Sequence, residues 1–133
     1  MQTNIYTLPE LDFVGGEAIE IYFHILQPHG EALNITGAKA DFAVCDYAAK
    51  NSAPLLHYDT VNNSENLKIL ADEGGVVSLV YLVPSQGAMV DYFGKFVYQL
   101  TITDASGRTD VRQGIMNITR NIHQEFITSP PTV

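Results

Sequence analysis

Apolar and polar residues alternate along most of this chain. From residue 96 onward Phe96, Tyr98, Leu100 and Ile102 share one parity, and Val97, Gln99, Thr101 and Thr103 share the other. A period of two sends successive side chains to opposite faces, so the stretch predicts a half-buried strand. The segment EAIEIYFHILQ (17–27) reads the same way, with Ile19, Ile21, Phe23 and Ile25 on one face and Glu20, Tyr22, His24 and Leu26 on the other. AKADFAVCDY (38–47) sets Ala40, Phe42 and Val44 against Asp41 and Ala43, and VVSLVYLV (76–83) is β-branched and apolar enough for a buried strand. Shorter strands are expected at NIYTL, LDFV and LLHYDT.

The connections carry turn chemistry. Gly15-Gly16, PHGEALNITGA with Pro28 and Gly30, VNNSEN, and ADEGG after LKIL all break the pattern. AKNSAP is a turn or a short helical excursion, and PSQGAMVDYFG (84–94) lacks the period of two, which predicts a short helical turn or loop near 84–92. DASG (104–107) is a hairpin loop ending on a glycine suited to positive φ. On the return strand RTDVRQGIMNIT, Val111 and Gln113 have one parity, and Met116 and Ile118 the other. A β-bulge at Gly114 would reconcile them. Strands at this spacing without intervening helices predict an all-β, antiparallel sandwich or barrel and exclude a doubly wound fold. The expected organisation is one β-sandwich domain over 1–120 and a loose C-terminal tail or arm over 121–133, where FITSPPTV holds two prolines.

Composition narrows the function classes. A chain of 133 residues makes one domain and needs neither metal nor disulfide to build a core. With 46% apolar and 17% charged residues it is not intrinsically disordered. The net charge of −8 and the scatter of Arg108, Arg112 and Arg120 around Asp110 leave no basic stripe for nucleic acid or an anionic membrane. No apolar run nears the roughly 20 residues a membrane helix needs. MQTNIYTLPELDF carries Glu10 and Asp12 and has no signal-peptide layout. The single cysteine, Cys45, lies in apolar ADFAVCDY and reads as a small core residue. These features together predict folding in a reducing cytoplasm and, for a protein that leaves the cell, release by a route such as lysis.

Candidate chemistry is sparse. His24, His29, His57 and His123 form no H-x-x-x-H and have no C-x-x-C beside them, so scattered surface histidines are expected, although strand histidines can meet across a sheet. Asp104, Ser106 and Asp110 resemble a calcium loop only superficially, since Ile115 stands where the closing glutamate belongs, and Asp104 is expected to accept backbone N–H groups of its own turn. Asp72 and Glu73 are adjacent in a turn, where both should face solvent. Serine, histidine and aspartate are all present, but no nucleophile elbow or phosphate loop is. No catalytic residue, cofactor site or metal site is therefore expected. Tyr22, Tyr81, Tyr92 and Tyr98 read as core or interface residues, and exposed tyrosines in one groove would favour carbohydrate binding. The sequons at Asn34, Asn62 and Asn117 imply nothing without a secretory signal.

The layout FVGGEAIEIYFHI, then GEALNITGAKADFAV, then YFGKFVYQLTITDASGRTDVRQGIMNIT resembles the immunoglobulin-like β-sandwich domain of phage baseplate upper proteins and related tail components, over about residues 12–120. The resemblance implies a non-catalytic structural part of a phage or prophage tail or baseplate that attaches receptor-binding proteins. It further implies assembly in the host cytoplasm, a place in the virion, other tail or baseplate proteins as partners and a homo-oligomeric state. Members of that family commonly continue into a long C-terminal region, so this chain reads as a short accessory component or an N-terminal piece. A carbohydrate- or receptor-binding sandwich module, or a stand-alone bacterial protein of another role, stays open beside it.

Overall fold

The computed structural model describes residues 8–49, 53–85 and 87–122. They form eight strands: β1 (Leu11–Val14), β2 (Ile21–His24), β3 (Lys39–Asp46), β4 (Leu56–Asp59), β5 (Leu67–Ala71), β6 (Val77–Leu82), β7 (Gly94–Thr103) and β8 (Thr109–Thr119). The strands make a five-stranded sheet in the order β1-β8-β7-β3-β4 and a three-stranded sheet in the order β2-β6-β5. This is the strand order of an immunoglobulin-like sandwich, with β8, β7, β3 and β4 standing for G, F, C and C′, and β2, β6 and β5 for B, E and D. All pairings are antiparallel except that of β1 with β8, which is parallel.

Alternation carries the core. Ala40, Phe42 and Val44 of β3, Ser78, Val80 and Leu82 of β6, and Phe96, Tyr98, Leu100 and Ile102 of β7 all point inward and are buried. At its centre the rings of Phe23, Phe42 and Tyr98 meet, with centroids 5.5 Å (Phe23 to Tyr98), 5.9 Å (Phe42 to Tyr98) and 6.4 Å (Phe23 to Phe42) apart. Phe23 comes from the three-stranded sheet and the other two from the five-stranded sheet. In antibody domains strands B and F share a disulfide that packs on a tryptophan of strand C. The same strands here contribute three aromatic rings, and burying each phenylalanine is worth about 1.5–3 kcal/mol.

Three local expectations change. The strand expected over 17–27 runs only from Ile21 to His24, with Ile25 N–H still bonded to Ser78 O, and is followed by a lone bridge between Leu26 and Ala32. In the β2–β6 register Ile19 would face Pro84, which has no N–H to donate, and Glu17 is already bonded back to Val14 through both its backbone and its carboxylate. The crossing near 84–92 is a run of turns closed by Ala88 N–H to Ser85 O, Val90 N–H to Gly87 O and Tyr92 N–H to Met89 O. Positive φ at Gly87 (81°) and Met89 (63°) interrupts any right-handed helix, and no helix occurs among the described residues.

The bulge expected at Gly114 is absent. β7 and β8 stay in one register from Gly94↔Ile118 to Thr103↔Thr109. Gly114 faces Tyr98, and a Cβ at Gly114 would lie 2.5 Å from the Tyr98 ring. The missing side chain is the space through which Tyr98 extends to donate its hydroxyl to Pro9 O. The segments NIYTL (up to residue 7), part of AKNSAP (50–52) and the tail from His123 onward lie outside the described residues.

Candidate functional site

The sequence-predicted candidates fall into separate places. His24 is on the outer face of the three-stranded sheet, where its Nε2 lies 3.2 Å from Asp72 Oδ2. Asp72 does not face solvent as expected. Its Oδ1 accepts the N–H groups of Gly74 and Val76, and its Oδ2 accepts Ser78 Oγ–H at 2.8 Å. The Ser78 bond, more than the others, pulls the Asp72 carboxyl below its ordinary range. Serine, aspartate and histidine thus do meet here, but the carboxylate lies between the other two. In a hydrolytic triad the imidazole must lie between serine and carboxylate to take the serine proton. Ser78 is also fully buried.

Asp104 behaves as expected for a turn. It accepts Ser106 N–H, Ser106 Oγ–H and Arg108 N–H, and the Ser106 hydroxyl leads in holding its carboxyl below the ordinary range. Arg112 forms an ion pair with Asp110 at 3.0 Å and donates to Leu26 O at 2.9 Å, tying β8 to the loop after β2. A groove of about 500 Å³ runs beside this tie, lined among others by Pro28, Ile35, Asp104, Arg108 and Arg112. Cys45 is not in the core: it is half-buried on the outer face of the five-stranded sheet, beside a hollow of about 190 Å³. Tyr22 and Tyr81 stack at 4.5 Å on the outer face of the three-stranded sheet, with Tyr22 57% exposed. The Glu20 carboxylate beside Tyr81 raises its phenol to about 12.

The outer face of the five-stranded sheet holds a grouping that residue spacing alone does not reveal. Asp41 of β3 is directly opposite Asp59 of β4, and His57 is two positions before Asp59 on the same face. His57 Nε2 lies 2.8 Å from Asp41 Oδ1. Donor atoms of all three side chains fall within 4.8 Å of one another. Asp59 is steered by the loop that follows it: Oδ1 accepts Val61 N–H and Asn62 N–H, and Oδ2 accepts the Asn62 side-chain amide. The Asn62 backbone bond leads in lowering the Asp59 carboxyl below its ordinary range. The His-x-Asp pair on one strand was open to inspection in the sequence, but Asp41 joins it only through the β3–β4 register.

No protein-family model and no curated protein matches the sequence. Among solved structures, the chain is similar to murine CRIg at 12% identity and a TM-score of 0.39, over 86% of this chain and 95% of that one. It is similar to the first immunoglobulin-like domain of human CD48 antigen at 8% identity and a TM-score of 0.38, over 100% and 94%. Similarity to CopC from Methylosinus trichosporium OB3b is of the same order, 9% identity and a TM-score of 0.39 over 85% and 89%. At this distance none of them bears on what this chain binds, and the immunoglobulin-like assignment stands on the strand order.

Proposed function

We propose that this chain is a non-catalytic structural component of a phage tail or baseplate, where it joins receptor-binding or neighbouring tail proteins. The observation that supports this reading best is the openness of the sandwich. Among the described residues its sheets end in the unclosed strands β1, β4, β2 and β5. Such edges offer backbone N–H and C=O groups for pairing with another chain. Asp59, Asp72 and Asp104 also do structural work inside the fold, each accepting backbone N–H groups of its own turn. The sequence resemblance to baseplate sandwich domains points the same way.

Immunogold electron microscopy of particles released from the source strain after DNA damage tests the reading. Label at the tail tip is the expected result. Particles without label, with the protein left free in the supernatant, would overturn it. A carbohydrate- or receptor-binding module is the second reading, favoured by the exposed Tyr22–Tyr81 stack beside Glu20. It predicts binding on a glycan array that is lost in Tyr22→Ala.

A further inference from the structure

We propose that Asp41, His57 and Asp59 form a binding site for a divalent cation of the zinc class, on the outer face of β3 and β4. The inference is independent of the phage reading and rests on geometry, charge and donor type.

Geometry comes first. Two of the three side chains share a face because they are two apart on β4, and the third joins them from the neighbouring strand. Their donor atoms already lie within 4.8 Å of one another, so small side-chain rotations bring all three to one ion. Strands hold ligands more rigidly than loops do. The loop after β4 fixes the Asp59 carboxylate through three hydrogen bonds, two to Oδ1 and one to Oδ2, which leaves a lone pair of Oδ2 for a metal.

Charge gives the reason an ion would be held. Asp41 and Asp59 are cross-strand partners, and like charges directly opposite each other destabilise a sheet. On the other side of Asp41 the partner is Thr101, which carries no charge. Within the β3–β4 pairs from Asp41↔Asp59 to Val44↔Leu56, His57 is the residue that can carry positive charge, and it lies against Asp41. A divalent cation between the two carboxylates would neutralise both.

Donor type selects the cation. Calcium and magnesium favour sites made wholly of oxygen. One imidazole nitrogen with two carboxylate oxygens suits zinc and its neighbours, and three protein ligands leave a position for water or for a group from a second molecule. His57 Nε2, the atom that would hold the ion, already lies 2.8 Å from Asp41 Oδ1.

Calorimetric titration of the folded chain with zinc chloride tests the site, with calcium chloride as the contrasting ion. The expected result is one zinc per chain and a much weaker response to calcium. His57→Ala and Asp41→Asn should each weaken zinc at least about tenfold, while His24→Ala titrates like the wild type. Asp41→Asn is the more decisive carboxylate variant, because Asp59 also closes its loop. Circular dichroism confirms that each variant is folded. Nitrogen NMR of the imidazoles supplies a second readout: zinc should move the His57 Nε2 resonance before those of the other histidines. Absence of zinc binding in the wild type would overturn the proposal. So would a His57→Ala variant that binds as the wild type does, with the first NMR shifts at another histidine.

Discussion

Gly114 is defined by the ring that faces it. Because its missing Cβ leaves room for Tyr98, Gly114→Ala forces overlap with a buried aromatic whose hydroxyl is anchored to Pro9 O. Overpacking of this kind costs about 1–3 kcal/mol, so urea denaturation should show a midpoint well below the wild type with an unchanged slope. Tyr98→Phe keeps the ring and removes only the hydroxyl bond, and should cost about 1 kcal/mol. The same residue shows where sequence reading failed. Val111 and Gln113 against Met116 and Ile118 looked like a change of register. In the structure the inward parity of β8 never changes; its occupants do, because Asp110 and Arg112 take the inward positions near the loop end as an ion pair tied to Leu26 O. Hydrophobic pattern cannot separate a bulge from a polar end of a sandwich.

At the scale of elements, the β5–β6 hairpin depends on Asp72. Its carboxyl lies below the ordinary value of 3.8 in the folded chain, chiefly through Ser78, and next through the backbone N–H of Val76 after allowing for burial. The unfolded chain therefore takes up the proton first as pH falls. The stabilisation is complete above the ordinary carboxyl value and is lost as pH drops through it toward the folded value. Asp72→Asn should flatten the acid limb of the stability profile, measured by thermal unfolding from neutral to acid pH. An acid limb as steep as that of the wild type would show that other carboxyls carry it. Asp104 closes its turn in the same way, and its D-x-x-G context was legible because the hairpin was. Asp72 stands before a Gly-Gly pair with the same logic, yet its neighbour Glu73 made the pair look like two solvated acids. The Asp41–His57–Asp59 grouping was half legible: strand periodicity puts His57 and Asp59 on one face, but only the β3–β4 register adds Asp41.

For the whole molecule, fold class followed from alternation and turn spacing, whereas sheet order did not. What joins the two sheets at the centre is the Phe23–Phe42–Tyr98 cluster. Phe42→Ala should cost about 3–5 kcal/mol in equilibrium unfolding. A cycle of Phe23→Leu, Phe42→Leu and the double variant should show a coupling of about 0.5–1.5 kcal/mol. Strict additivity would mean the rings act as separate core fillers instead of a unit.

The parallel seam between β1 and β8 has a mechanical consequence. It runs from Leu11↔Met116 to Val14↔Thr119 and is extended by Leu8 N–H to Gln113 O and Gly15 N–H to Thr119 O. Tension that draws Leu8 and Thr119 apart along the strand axis pulls the two strands in opposite directions. Every hydrogen bond of the seam then bears the force at once, in shear, whereas an antiparallel hairpin pulled from its open end would peel one bond at a time.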